Sequence, residues 1–119
     1  MPNPYRCEQE IQIDGQRYEL VFNWNTAAEY ELAARETISQ ALEALAAGRL
    51  SAVTLRAMLW AGLRTHHRDV SIEQAGEMIA RAGRAPVVRV LADAMRYYFP
   101  DAFAGEPKPA DPPSPPPST

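Results

Sequence analysis

The sequence predicts an α+β fold that is mostly α: an N-terminal β-hairpin, about five short helices and a disordered, proline-rich C-terminal tail. Two short segments near the start alternate apolar and polar residues on either side of a turn dipeptide. Apolar residues then recur every three or four positions, as in amphipathic helices. After Phe103 the composition changes abruptly to proline. We therefore assign residues 1–103 to a single helical domain with an N-terminal hairpin and residues 104–119 to the tail.

The predicted hairpin consists of residues 8–13 and 16–22, joined by Asp14-Gly15. This dipeptide accepts the positive φ angles of a type I′ turn. The apolar residues of the two strands share a face; they are Ile11, Ile13, Tyr18, Leu20 and Phe22. Because a lone hairpin is only marginally stable in water, we expect this face to pack on helices.

The first three helices begin at residues that can cap an N-terminus. Asn23 or Asn25 caps the first helix, Ser39 restarts a short second helix after a break, and Ser51 opens the third. Gly48 ends the second helix as a C-terminal capping residue.

The third helix carries apolar residues on two faces. Leu55, Leu59 and Leu63 form one stripe, whereas Trp60 lies on the far side with Val53. Either this helix runs through the middle of the domain, or one of its faces is a contact surface.

The fourth and fifth helices meet near Gly83. Residues 71–74 form a capping box at the start of the fourth helix. Pro86 suits the first turn of the fifth helix, and Pro100 ends it. The apolar stripe of the fifth helix consists of Val87, Leu91, Ala94, Met95 and Tyr98.

Composition and charge argue against nucleic acid and membrane. The 119 residues carry a formal net charge of −3, whereas nucleic-acid affinity comes mostly from Lys and Arg that neutralise phosphates. A helix-turn-helix around Arg84 fits poorly, because Ile79 and Arg89 stand where that motif usually has a small and a β-branched residue. No apolar run approaches the ~20 residues that span a bilayer. Since no signal peptide is visible either, we expect a cytoplasmic location.

The residue types that carry chemistry form no recognisable catalytic or metal site. Cys7 is the one cysteine, so it cannot close an internal disulfide. His66 and His67 point ~100° apart on a helix, with only Asp69 as a nearby acid, and a metal needs three or four convergent ligands. We interpret this pair as a solvated helix end. Phosphate loops and nucleophile–base spacings are not found, so we expect no enzymatic activity and no cofactor.

Five glutamates cluster near the N-terminus: Glu8 and Glu10 upstream, then Glu29, Glu31 and Glu36. Paired carboxylates do acid–base work only in a cleft that separates their pKa values, and the sequence indicates no cleft. We interpret the cluster as a charged helix face, with a contact surface for a basic partner as the alternative.

Aromatic residues give the clearest indication of a partner. Trp and Tyr are enriched at binding hot spots, so Trp60 and residues 97–99 are candidates, although the same residue types are common in cores. The proline-rich tail either docks in an aromatic groove or stays solvated.

Residues 55–63 and 70–79 resemble the central helices of the small tail assembly chaperones of phages and gene transfer agents. In that family a hairpin leads through an Asn-containing segment into an acidic helix. Here residues 22–25 form that segment, and Glu29 and Glu31 lie in the helix.

The resemblance covers about residues 8–83 and implies a function in protein binding. Such chaperones bind the tape measure protein, a long and aggregation-prone helical chain, and help to recruit tail tube subunits in the host cytoplasm. They are absent from the mature virion. The candidate protein-binding residues are Trp60, Val53, Met58, Tyr97 and Phe99, with Glu29 and Glu31 as a polar rim. The alternatives are another morphogenesis or head–tail adaptor protein and, from a different class, a small DNA-binding regulator.

Overall fold

The computed structural model describes residues 8–100, and its hairpin and five helices confirm the predicted fold class. The elements are β1 (Glu8–Ile13), β2 (Gln16–Val21), α1 (Trp24–Ala34), α2 (Ile38–Ala46), α3 (Ala52–Leu63), α4 (Ile72–Ala82) and α5 (Arg84–Tyr98). The predicted proline-rich tail, Cys7 and the side chain of Glu8 lie outside the described part of the chain.

The hairpin forms with the predicted turn and the predicted apolar face. Strands β1 and β2 pair antiparallel, with Ile11 opposite Tyr18. Asp14 and Gly15 have φ angles of 53° and 78°, as a type I′ turn requires. Ile11, Ile13 and Leu20 are buried, so the hairpin is covered by helices on this face.

Side-chain caps set the helix starts. The carboxamide oxygen of Asn23 accepts a hydrogen bond from the Thr26 amide at 3.0 Å, and so Asn23, not Asn25, caps α1. Helix α2 begins at Ile38, one residue earlier than predicted, because Thr37 provides the cap. Ser51 and Ser71 cap α3 and α4 as predicted.

Helix α3 runs through the middle of the domain, which explains its two apolar faces. It packs against α1, α4, α5 and β2. Its buried residues extend around most of its circumference: Thr54, Leu55, Ala57, Met58, Leu59, Ala61, Gly62 and Leu63. A β-carbon at Gly62 would lie only 2.6 Å from Cζ of Phe22, so glycine lets α3 approach the end of the hairpin.

Helix α5 closes the other side of the core. It packs against β1, α4, α2 and α3. Its stripe is confirmed, with Val87, Leu91, Ala94 and Met95 buried and Tyr98 partly buried. Among the helices of residues 8–100, none combines the length and the apolar character that crossing a membrane requires.

Candidate protein-binding site

Trp60 lies half-buried on the outer side of α3 and lines an open groove of about 530 Å³. We call this the Trp60 groove. Ala33 of α1 and Val70 and Ile72 at the start of α4 add apolar walls. Its polar lining comes from Arg64, Arg68, Asp69 and Ser71. A groove with an aromatic wall and a charged rim can receive the apolar face of an amphipathic helix.

Glu29 reaches this groove through Arg64. The Arg64 guanidinium lies 5.0 Å from the centre of the Trp60 ring, within the range of a cation–π contact. Its Nε atom lies 3.6 Å from Oε2 of Glu29 on α1. The structure thus brings together two predicted site residues, Trp60 and Glu29, and adds Arg64 as the residue between them.

Val53 lies on the surface of the domain, whereas Met58 lies in its core. Val53 is 56% exposed and lies seven residues before Trp60, on the same side of α3. Met58 is fully buried, so its prediction as a contact residue is wrong. Because Met58 stands two residues before Trp60, it points about 200° away around the helix and enters the core.

The glutamates do not form one acidic face, which corrects that interpretation. The Glu31 carboxylate accepts a hydrogen bond from the Ile38 amide at 2.8 Å and so caps the start of α2. The Glu36 carboxylate accepts hydrogen bonds from the hydroxyls of Tyr30 and Thr54. Glu10 lies 3.8 Å from the guanidinium of Arg17 across the hairpin. Each of these carboxylates contacts a different part of the domain.

Tyr30 is the buried member of the Glu36 network. Its side chain is 1% exposed, and its hydroxyl donates to Glu36. Burial first, and then this hydrogen bond, raise the pKa of Tyr30 well above its usual value of 10. Since Thr54 belongs to the first turn of α3, the network fastens the end of α1 to the central helix.

The histidine pair lies beyond the end of α3, which ends at Leu63. Nε2 of His67 accepts a hydrogen bond from the Glu19 amide at 3.0 Å, and its ring packs against Tyr18. His67 therefore covers the outer edge of β2, which corrects the interpretation of this residue as solvated, whereas His66 is exposed just beyond the end of α3. In the described part of the chain, no three His, Cys, Asp or Glu side chains come close enough to hold a metal ion.

Tyr97 and Phe99 lie away from the Trp60 groove. Tyr97 is 54% exposed and lines a shallow depression with Gln9, Asp93 and Arg96. Phe99 packs edge to face on Tyr98, with ring centres 4.2 Å apart. The predicted surface is therefore divided among separate sites.

Trp24 was missed by the sequence reasoning. It is the first residue of α1, is 73% exposed, and places its ring 5.9 Å from Tyr98 and 5.7 Å from Phe99. These three rings border a groove of about 600 Å³, here called the aromatic groove, whose lining is completed by Ser39, Leu42, Glu43 and Pro100. A large aromatic residue directly after a capping Asn, outside any apolar stripe, was the available signal.

A family model described as phage tail tube protein, GTA-gp10, matches residues 6–100. No curated protein and no solved structure matched the chain. The family match spans the hairpin and all five helices. It therefore includes α5, which lies outside residues 8–83, to which the resemblance to tail assembly chaperones was limited. The chain therefore belongs to the phage tail tube protein, GTA-gp10 family and is a tail protein of a phage or gene transfer agent.

Proposed function

We propose that this tail protein is a non-enzymatic tail assembly chaperone. It binds the tape measure protein in the host cytoplasm, helps to recruit tail tube subunits, and is absent from the mature virion. Membership of a phage tail family supports the setting, and the resemblance of α3 and α4 to such chaperones supports the role. The observation that carries the proposal is the Trp60 groove, an open apolar surface on a rigid helical scaffold.

The groove suits a segment of an amphipathic helix. Trp60, Val70 and Ile72 offer apolar surface, and the guanidiniums of Arg64 and Arg68 lie at the rim. A chaperone for a long helical chain must cover apolar faces that have no partner until the tail is built. A half-buried Trp that is already held by Arg64 loses little freedom on binding.

Co-expression with the tape measure protein of the same tail gene cluster, followed by co-purification, tests the proposal. We expect wild-type chain to copurify and to keep the long protein soluble. Trp60→Ala should weaken binding by roughly 30-fold or more, as truncation of a hot-spot residue does.

Trp24→Ala is the matched control, since it removes a tryptophan that lies outside the Trp60 groove. It should copurify like wild type. A folded Trp60→Ala protein that binds as wild type would exclude this groove as the binding site. Failure of the folded wild-type chain to associate would exclude the chaperone function.

The family description itself favours a second candidate, a subunit of the tail tube. A tube subunit needs two complementary faces that associate into closed rings. Mass spectrometry of purified particles separates the two functions. A chaperone is absent from finished tails, whereas a tube subunit is one of their most abundant proteins.

A further inference from the structure

The aromatic groove presents an apolar surface that the described residues leave open. Trp24 is 73% exposed although it packs edge to face on Tyr98 and Phe99. Such a concentration of aromatic surface at one place typically marks a binding site. Trp24 supplies most of this exposed aromatic surface, because its ring contacts its two neighbours edge to face and remains largely accessible.

The chain continues from the groove itself. Pro100 lines the groove and is followed by 19 further residues, 101–119. Residues 106–119 contain seven prolines, five of them in the run Pro112-Pro113-Ser114-Pro115-Pro116-Pro117. Proline-rich segments favour the polyproline II helix, and grooves lined by aromatic rings recognise that helix because little entropy is lost on binding.

We propose that residues 106–119 bind the aromatic groove of their own molecule as a polyproline II segment. This helix has three residues per turn, so Pro112 and Pro115 share one face and Pro113 and Pro116 share the next. Either pair can place its rings against the exposed ring of Trp24. The proposal does not depend on the chaperone function, which uses the Trp60 groove.

The charges of the aromatic groove and of residues 106–119 are also complementary. Glu43 is the one charged residue among the described lining residues of the aromatic groove. Lys108 is the one lysine of the whole chain and lies four residues before the proline run. A contact between Glu43 and Lys108 fixes the direction in which the segment enters the groove.

Because residues 106–119 are attached to the domain that carries the groove, even a weak intrinsic affinity can keep them bound. Residues 101–105 reach up to ~17 Å when extended, and Gly105 permits a turn. Since the chain leaves from the lining of the groove, this linker is long enough for the segment to fold back. A short flexible linker gives an effective concentration in the millimolar range, so a dissociation constant of about 1 mM leaves the segment bound about half of the time or more.

The test uses NMR of the full chain, in which the two indole N–H signals, of Trp24 and Trp60, report on different grooves. Replacing the five prolines at 112, 113, 115, 116 and 117 by alanine should move the Trp24 signal and leave the Trp60 signal in place. The matched control replaces only the isolated Pro107 and Pro109 and should leave both signals near their wild-type positions. Adding a free peptide of residues 106–119 to the five-proline variant should return the Trp24 signal, with half-saturation at about millimolar peptide.

Equal Trp24 signals in wild type and the five-proline variant would overturn the proposal. So would a Trp24 signal that shifts when the wild-type chain is diluted, because that result assigns the groove to the tail of a second copy. The unchanged Trp60 signal shows that the domain remains folded in every variant. Binding of the tape measure protein by the five-proline variant is measured separately, so failure of one proposal does not decide the other.

Discussion

At the scale of single residues, the space around a position influences the effect of a substitution on stability more than the helix propensity of the new residue does. Gly62 stands in the interior of α3, where alanine is normally the better helix former by ~1 kcal/mol. Here an added β-carbon would lie 2.6 Å from the Phe22 ring, inside van der Waals contact. We expect Gly62→Ala to lower the free energy of unfolding by about 1–3 kcal/mol, because the ring or the helix must move. Urea denaturation of wild type and variant measures this difference in the free energy of unfolding.

Gly76 of α4 is the matched control for this prediction. A β-carbon there would meet only the long and flexible side chain of Arg56, with Cδ at 3.2 Å and Cγ at 3.7 Å. Gly76→Ala should therefore be neutral or stabilising by up to about 1 kcal/mol. Equal effects at the two glycines would show that the contact with Phe22 does not limit the packing of α3.

The hydrogen-bond network of Tyr30, Glu36 and Thr54 leads to a second prediction. Glu36→Ala leaves the buried Tyr30 hydroxyl without its acceptor, and a buried donor without a partner costs about 1–3 kcal/mol. We expect a loss of that size in the free energy of unfolding. Glu31→Ala, which removes an exposed carboxylate that caps α2, should cost less, about 1 kcal/mol. A smaller loss for Glu36→Ala than for Glu31→Ala would contradict this assignment.

The raised pKa of Tyr30 predicts a loss of stability in alkali. The folded state holds the phenolic proton more tightly than the unfolded state, whose tyrosine titrates near pH 10. The stabilisation is therefore complete below pH 10 and decreases as the pH rises from there towards the folded pKa, by about 1.4 kcal/mol per pH unit. The difference in unfolding free energy between wild type and Tyr30→Phe should therefore be smaller at pH 11 than at pH 8. A constant difference between the two proteins would contradict the prediction.

At the scale of elements, the connection between α3 and α4 stabilises the hairpin. His67 lies in this connection and accepts a hydrogen bond from the Glu19 amide on the free edge of β2. His67→Phe keeps a ring against Tyr18 but removes the acceptor, so we expect a loss of about 1 kcal/mol. Hydrogen exchange of the Glu19 amide should also accelerate. His66→Phe is the control: it removes a contact of 3.4 Å with the Glu19 carboxylate but leaves the hydrogen bond to the Glu19 amide, so that amide should stay protected.

At the scale of the whole molecule, α3 is the central helix, since four of the six other elements, α1, α4, α5 and β2, pack on it. Its amides cannot exchange with solvent unless these neighbours separate. We expect amides of α3 to exchange only through global unfolding, with an exchange free energy equal to that from urea denaturation. Amides of α2, which covers the core from one side, should exchange through smaller openings. Faster exchange in α3 than in α2 would show that α3 is not the centre of the cooperative unit.

The sequence by itself determined the elements of this protein and their order. The Asp14-Gly15 turn, the caps at Ser51 and Ser71 and the stripe on α5 depend on neighbours within a few residues, and such local preferences can be recognised in a sequence. The helix-packing pattern of α3 and α4 likewise indicated a protein of phage or gene-transfer-agent tails, and the family match confirms that broader assignment.

The tertiary structure alone decided which side chains meet. Trp60 and Met58 are similar apolar candidates in the sequence, but the packing of other helices around α3 leaves Trp60 in an open groove and encloses Met58. Trp24 meets Phe99 across 75 residues of chain, and Glu36 turns inward to bind Thr54. These contacts depend on the relative positions of distant elements, which no local spacing encodes. The Trp60 groove and the aromatic groove could therefore be located only once the helices were packed.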